Sequence, residues 1–567
     1  MNTNQNGRLW FVIAGLIGIT LVISGRLVVF QLLQGSQWEE RGRDTQVLEV
    51  IARPDRGLIY DRNHAVLAAN GADYQIGASP SLVVAPAEAA TALAPILQVP
   101  RYEILAQLES RLPFVLLSTR VSSDIADAIR ALDYDGIQID SLPRRIYPQG
   151  ELLCHTLGYT DLDNVGGSGL EGFYQADLAG EMASAYVNIS PLEEQETVLA
   201  REGVDLVLTI DRSVQYLVEE HLARAVRAYG AEGGTIIVMD PKTGAILAMA
   251  NHPCYDPYRY FETEADLLIN PSVTQLYEPG SVMKLVTMAA ALDSGTVSPQ
   301  STYYDSGVYE LGGARVYNSD KSGPGDTDMK TLIARSLNVG ATHLAVETGT
   351  DTFYNYMERF GFGRRTGIEL LAEGAGQMHL PGSAYWTESS LATNSFGQGM
   401  SVTPLQMISA VSALANDGYL MQPYVVQEIH AGDDVFVHDP KVLSRPVSAE
   451  AAQQVSAMAV YAINTQLWRA QLPGYTVAGK TGTAQIPENG IYHPTDTIAS
   501  FVGWLPADAP EVAVLIKLDR PTVSPWGSET AAPTFAELAN ELVVLLDIPP
   551  DTIRLKADIM AARAEEE

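Results

Sequence analysis

The sequence predicts an α+β protein in which one N-terminal transmembrane helix precedes two extramembrane units. Three observations point there. Residues 9–25 form an apolar run without a charge. From about residue 48 to 201, short apolar runs alternate with turns and few long helices. From Val207 onward, strand-like segments at both ends flank a long helical centre. The economical arrangement of that last pattern is a single antiparallel sheet built from both ends, with helices packed on it.

The chain has 567 residues, enough for several domain-sized units. Its net charge is −32, which excludes nucleic acid as a partner, because phosphate binding needs a basic face. With 46% hydrophobic and 18% charged residues it has the composition of packed cores, not of disorder. Two cysteines, Cys154 and Cys254, rule out a disulfide scaffold and a Cys-rich zinc module. They are expected as two free buried thiols, with a single bridge between them as the alternative. Being isolated, they are also expected to form no metal site with His155 or His252.

The apolar run 9–25 is short for a bilayer span, which takes about 20 residues. Arg26 can snorkel to the interface, so the helix runs on to Leu33. Trp10 suits the opposite interface. The run is long for a signal peptide and lacks a clear small-x-small cleavage site, which favours an uncleaved anchor. Arg8 precedes the helix while Arg26, Arg41 and Arg43 follow it, so charge alone leaves its orientation open.

In the first unit, 87–94 and 122–132 have helical patterns, whereas 47–52 and 57–61 look extended. In the second, 207–210 reads as a strand and Asp211 to Ser213 can cap a helix. That helix carries Val214, Leu217, Val218, Leu222, Ala225, Val226 and Tyr229 on one face. A hairpin follows, with strands at 235–239 and 245–250 around an Asp-Pro-Lys-Thr-Gly turn. The helical centre runs from about 281 to 418, and strands at 475–478, 498–504 and 512–518 and a helix at 534–546 close the unit. The stretch from Pro549, ending in three Glu, reads as a mobile tail.

Three short motifs lie inside the second unit. Ser281-Val-Met-Lys284 follows a Pro-Gly turn and opens an apolar helix. Residues i and i+3 share a helix face, so the Lys284 amine can approach the Ser281 hydroxyl. A serine needs a base to act as a nucleophile, and a lysine serves if burial or a second cation keeps it neutral. Ser336-Leu337-Asn338 interrupts a helical segment with mostly poor helix formers. Lys480-Thr481-Gly482-Thr483 follows a strand, and its glycines admit close approach of a ligand backbone. Lys480 supplies the second cation. Each motif alone recurs by chance, as a capping serine, a turn or a glycine-rich edge strand. In this order, S-x-x-K, S-x-N and K-T-G together mark active-serine acyl transfer.

With these motifs the sequence resembles the class B penicillin-binding proteins, membrane-anchored D,D-transpeptidases that cross-link bacterial peptidoglycan. The resemblance extends over nearly the whole chain. It includes Arg56-Gly-Leu-Ile-Tyr-Asp61-Arg62-Asn63, Arg145-Ile-Tyr-Pro148-Gln-Gly150, His155, Gly158, Gly169-Leu-Glu171-Gly-Phe-Tyr174 and Leu208-Thr-Ile-Asp211. Asn270, Tyr277-Glu278-Pro279-Gly280, Phe360-Gly-Phe-Gly363 and Ser395-Phe-Gly-Gln-Gly399 fit as well. It departs at Leu337, where many members have a small residue, and at Tyr258, where Asn is frequent. No Glu-Asp-x-x-Phe-x-x-His glycosyltransferase signature appears.

The resemblance implies a division into a cytoplasmic N-terminus (1–8), a transmembrane anchor (9–33), an elongated pedestal of dimerisation type (34–206), a penicillin-binding transpeptidase domain (207–548) and a tail (549–567). It assigns Ser281 as the acylated nucleophile, Lys284 as its base, Ser336 as proton relay, Asn338 as a hydrogen-bond partner of the bound amide and Lys480 as electrostatic tuner. Thr481, Gly482 and Thr483 would line the substrate, and the backbone N–H groups of Ser281 and Thr483 would form the oxyanion hole. The donor is a stem peptide ending in D-Ala-D-Ala, β-lactams are covalent inhibitors, and no metal or cofactor is implied. A polytopic glycosyltransferase and other divisome proteins are the implied partners. Residues 497–506 and 527–535 look more like the septal subtype than the elongation subtype. A β-lactamase, a D,D-carboxypeptidase or a lactam sensor is disfavoured by the large pedestal and single anchor, and by the lack of a Glu-x-x-Leu-Asn element.

Overall fold

A computed structural model describes residues 4–34, 47–52, 54–188, 200–488 and 491–556. The chain divides into two compact units. One comprises residues 1–56 and 179–203, the other 57–178 and 204–567. Arg41, Arg43 and the tail beyond 556 lie outside the described residues.

The smaller unit holds the helix α1 (Asn4–Val28), extended by a π-helical turn, Val29–Leu33. Within it Leu9–Gln31 spans 23 residues with a mean hydropathy of 2.3 and no burial. At 1.5 Å per residue that is about 35 Å, sufficient for a hydrocarbon core of about 30 Å. It is the one helix among the described residues long and apolar enough to cross a membrane. The same unit contains an antiparallel ribbon of Val47–Ala52 with Ala183–Asn188.

The larger unit is built on two sheets. The first contains β1 (Ile59–Tyr60), β2 (Val66–Ala78), β3 (Val115–Val121) and β4 (Ile137–Ile146). β2 pairs with both β3 and β4. Helices α2 (Pro86–Leu97), α3 (Arg101–Leu108) and α4 (Ser123–Arg130) accompany these strands. Ile76, Leu93, Ile104, Leu108, Val115 and Ile129 make a small core between them.

β5 (Asp205–Leu208), expected at the entry to the catalytic unit, joins this first sheet instead. It lies parallel to β1 and antiparallel to β8, the strand at Val426–Ala431. Its short apolar run marks it as a strand but not which strand it pairs with.

The second sheet has five antiparallel strands. β6 (Gly233–Met239) and β7 (Ile246–His252) come from the early part of the unit. β10 (Ala478–Glu488), β11 (Ile491–Leu505) and β12 (Val512–Asp519) come from its end, in the order β10-β11-β12-β6-β7. β9 (Asp434–Val437) belongs to the first sheet, beside β8. The sheet built from both ends is thus present, and β10 is its edge.

Helix α5 (Arg212–Tyr229) is capped by the Asp211 carboxylate, which accepts from Ser213 and Val214 N–H. It buries Val214, Val218, Leu222, Ala225 and Val226 against the sheet, together with α11 (Ala531–Leu545). On the other face pack α6 (Met283–Asp293), α7 (Met329–Arg335), α8 (Asn338–Thr348), α9 (Pro404–Leu414) and α10 (Ala449–Thr465). Short ribbons between residues 302 and 328 interrupt the expected helical centre.

Two expectations are corrected. Cys154 and Cys254 are bonded to each other, with Cα atoms 6.2 Å apart, and are not free thiols. Although 100 residues separate them, the loop before Cys154 meets the segment just after β7, where Glu151 O lies 3.2 Å from Cys254 Sγ. There the Tyr255 hydroxyl donates to Cys154 O at 2.9 Å. Nor are the sulfurs isolated from His155, whose ring nitrogen lies 3.0 Å from Cys154 Sγ. The tail also begins as a fastened segment. Residues 551–556 are helical, Asp551 accepts from the Thr476 N–H and hydroxyl at 2.7 Å, and Arg554 pairs with Asp508 and Asp551.

The departure at Tyr258 has a structural counterpart. Its hydroxyl accepts from Tyr147 N–H at 2.7 Å, its ring meets the Tyr147 ring edge-on, and the Arg144 guanidinium lies over it. Nearby, Arg145 Nε donates to Glu171 Oε1 at 2.6 Å with both side chains buried. Arg145 also donates to Asn70. Removing one partner of a buried ion pair strands the other charge. Glu171→Ala is therefore expected to destabilise the protein by about 3–5 kcal/mol. The combined Arg145→Met, Glu171→Leu variant should recover much of that loss. Thermal unfolding of the full chain in detergent measures both, and a loss under about 1 kcal/mol for Glu171→Ala would contradict the account.

Candidate active site

Ser281 lies in a turn of 3-10 helix, Gly280–Val282, immediately before α6. Lys284 is in the first turn of α6, so its amine returns toward Ser281: Nζ and Oγ are 2.9 Å apart. Ser336 ends α7 in a left-handed conformation, φ +58°, and Asn338 opens α8. This sharp reversal directs both side chains toward Lys284, whose Nζ is 3.0 Å from Ser336 Oγ. Lys284 Nζ also donates to Ser336 O at 2.6 Å and to Asn338 Oδ1 at 2.7 Å. Leu337 turns into the core, 1% exposed, which accommodates its size at a position often occupied by a smaller residue.

Lys480 reaches the same point from β10. Its Nζ is 3.0 Å from Ser336 Oγ and donates to Thr481 O at 3.1 Å. β10 can pass this close to the nucleophile because Gly482 has no side chain. A Cβ there would sit 2.8 Å from Pro279 O and 2.3 Å from Ser500 Oγ. Gly527 similarly approaches from the other side, where a Cβ would meet Gly482 O and Ser500 O at 2.4 Å. Its N–H donates to Thr483 Oγ1 at 3.1 Å.

Both lysines are 1% exposed. Burial, aided by the charge of Lys480, holds the Lys284 amine well below the usual lysine range. Burial lowers Lys480 to about 7. A neutral amine has two N–H groups and one lone pair. At Lys284 the carbonyl oxygens of Ser336 and Asn338 accept the two N–H bonds. The lone pair is then left to the two hydroxyls, of Ser281 and Ser336. That is the arrangement a general base for Ser281 requires.

All the motif residues thus converge. A cavity of about 780 Å³ opens over them, lined by Ser281, Ser336, Asn338, Thr481 and Thr483. Lys284 and Lys480 stand behind its wall. Asn338 Nδ2 donates one hydrogen to Tyr317 O at 2.9 Å, which leaves its second hydrogen for a ligand.

Other residues join the lining. Phe396 and Gln398 belong to the Ser395-Phe-Gly-Gln-Gly399 motif, whereas Gln485, Asp496, Arg520 and Trp526 carry no motif signal. Glu278, three positions before Ser281, has a partly buried carboxylate that accepts from Gly399 N–H at 2.9 Å and faces the Tyr492 hydroxyl at 3.2 Å. Burial raises it to about 7, against the pull of those two donors. It therefore ties the nucleophile's turn to the β10–β11 hairpin.

The sequence matches the family described as penicillin binding protein transpeptidase domain over residues 234–540. It matches the penicillin-binding protein dimerisation domain over residues 51–208. It is 32% identical to the stage V sporulation protein D of Bacillus subtilis over 566 residues, covering 97% of this chain and 87% of that one. It is 28% identical to the peptidoglycan D,D-transpeptidase FtsI of Escherichia coli, covering 93% and 90%. Among solved structures, penicillin-binding protein 3 of Mycobacterium tuberculosis complexed with aztreonam superposes with a TM-score of 0.70. It shares 28% identity over 88% of this chain and 98% of that one.

The Glu278 carboxyl gives a pH test. Its folded value lies above its ordinary value of 4.5, so the folded state holds its proton more tightly. The associated stability is present in full below about 4.5 and is lost as the pH rises through about 7. Glu278→Gln cannot ionise. Its melting temperature relative to the parent should rise between pH 5 and pH 8. A pH-independent difference would contradict the burial argument.

Proposed function

The chain belongs to the class B penicillin-binding proteins and is a peptidoglycan D,D-transpeptidase; on that premise we propose that it works through a Ser281 acyl-enzyme in septal wall synthesis. The observation that carries the acyl-enzyme reading is the buried Lys284 amine, 2.9 Å from Ser281 Oγ and depressed in basicity by its surroundings.

In this reading Ser281 Oγ attacks the carbonyl carbon of the penultimate D-Ala, and its proton passes to Lys284. The backbone N–H groups of Ser281 and Thr483 hold the developing oxyanion. Ser336 Oγ, in contact with both lysines, relays a proton to the departing D-Ala amine. The hydroxyls of Thr481 and Thr483 bind the terminal carboxylate, Lys480 tunes the electrostatics from behind them, and Asn338 binds the peptide amide. An amine of a second stem then attacks the ester and frees Ser281. A β-lactam follows the same first step, but its ring carries no separate leaving group to depart.

The helix Leu9–Gln31 supports a single-pass anchor with residues 1–8 in the cytoplasm and the body outside. A polytopic glycosyltransferase would be contacted through 9–33 and the pedestal. The septal assignment rests on the character of 497–506 and 527–535, and imaging distinguishes it from an elongation role: a fusion should sit at the septum, not along the lateral wall.

Labelled penicillin should attach covalently at Ser281 and leave slowly. Equal labelling of Ser281→Ala would refute the assignment, and rapid lactam turnover would indicate a lactamase. Replacing 9–33 by an unrelated span should weaken co-purification of the glycosyltransferase while penicillin labelling persists. Unchanged co-purification would remove the anchor from that contact.

A further inference from the structure

The reversal that carries Ser336 and Asn338 is held from behind by a carboxylate that the acyl-transfer steps leave unused. Asp305 is wholly buried and ends the strand Thr302–Asp305, which pairs with Gly325–Asp328. Its Oδ1 accepts from Gly307 N–H at 2.8 Å and its Oδ2 from the Tyr303 hydroxyl at 2.9 Å. Both oxygens also face Nδ2 of Asn318, at 3.0 and 3.1 Å. None of these partners belongs to a catalytic motif. Burying a carboxylate is costly, and these contacts offset the cost.

What Asp305 fixes is the direction of the Asn318 amide. An amide has one end that donates and one that accepts. Asn318 Nδ2 faces acceptors alone, the Asp305 carboxylate and Ser322 O at 3.0 Å. A half-turn of the amide would set its oxygen against the carboxylate. Oδ1 is thereby committed to the other side, where it accepts from Val339 N–H at 3.1 Å. That N–H is one of the donors a helix leaves unpaired in its first turn, here the first turn of α8. The neighbouring Tyr317 O accepts from Asn338 Nδ2 at 2.9 Å. Two consecutive residues, Tyr317 and Asn318, thus hold two others, Asn338 and Val339. Two further contacts tie the same parts together. The Tyr303 hydroxyl packs so closely on α8 that a Cβ on Gly340 would sit 2.4 Å from it. Arg335, just before Ser336, reaches Asp320 at 3.1 Å and Ser322 Oγ at 2.9 Å.

We propose that Asp305 is a positioning residue for Asn338. Through Asn318 it holds the start of α8 so that Asn338 keeps Oδ1 on Lys284 and one Nδ2 hydrogen free for the amide of the bound ligand. Asp305 itself touches no ligand. If Tyr317 O and the start of α8 move apart, the Asn338 amide rotates to follow its partner and carries the free hydrogen off the ligand. Lys284 stays anchored by α6 and by Ser336 O at 2.6 Å. Loss of Asp305 therefore weakens recognition of an amide more than it weakens attack by Ser281. This inference rests on the acyl-enzyme reading and on Asn338 as the partner of the bound amide.

The test uses the full-length protein in detergent and two lactams. Benzylpenicillin carries an acylamido group, and penicillanic acid lacks one. Competition with a fluorescent penicillin gives the second-order acylation rate for each. Asn338→Ala is the reference: it should slow benzylpenicillin about tenfold and penicillanic acid about twofold or less. Asp305→Asn is nearly isosteric, but its amide hydrogens meet those of Asn318 and turn that amide away from Val339. It should reproduce the selectivity of the reference. In the Asn338→Ala background it should slow benzylpenicillin by no more than about a further twofold, since the two residues act as one unit. Equal slowing of both lactams by Asp305→Asn, or slowing of neither, overturns the proposal. So does a full tenfold further loss in the Asn338→Ala background. If Asp305→Asn does not fold, Asn318→Ala decides in its place, and an unaltered ratio of the two rates overturns the proposal. A reference variant without selectivity would defeat Asn338 as the partner of the amide, and absent labelling of the parent would defeat the acyl-enzyme reading; with either, the role of Asp305 falls too.

Discussion

Two buried amines share one hydroxyl oxygen, that of Ser336, and the remainder of the molecule is arranged to make this contact tolerable. A protonated lysine removed from water is costly, and two facing one oxygen are costlier still. The cost is avoided when Lys284 gives up its proton, which converts a structural penalty into a base beside Ser281. Maintaining that state requires dry walls on every side. The core beneath α6 and α8 supplies one of them, and β10 pressed against the nucleophile's turn supplies another. The glycines at 482 and 527 are the local condition for that pressure.

The elements that meet at this point come from distant parts of the chain. Ser281 and Lys284 arrive on α6, Ser336 and Asn338 on the reversal between α7 and α8, and Lys480 on a strand near the end. Their convergence depends on the sheet that joins β6 and β7 to β10, β11 and β12. The first sheet is continuous with the same compact unit, through β5 and β8 and through the Cys154–Cys254 link. The buried Arg145–Glu171 pair and the Tyr147–Tyr258 contact consolidate the same region.

The catalytic motifs were legible in the sequence because each fixes its own local backbone: a helix start, a helix break, a strand with glycines. Strand positions and the two-ended sheet were legible for a related reason, since periodicity reports burial. Pairing between distant segments leaves no such trace. The partner of Asp205–Leu208 and the union of two cysteines 100 residues apart were both missed on that account. Glu278, Asp496 and Arg520 were missed as part of the site for a different reason. In a chain with 68 carboxylates, three charged residues look like solvated surface until the fold places them on a cavity or under a hairpin.

The free edge of β10 has a wider meaning for the polymer on which the enzyme acts. An unpaired strand edge offers a berth to any extended chain. Here the edge borders the cavity over Ser281, whose wall Trp526 joins. The backbone groups of such an edge bond an extended chain whatever its side chains, so what they read is conformation and not composition.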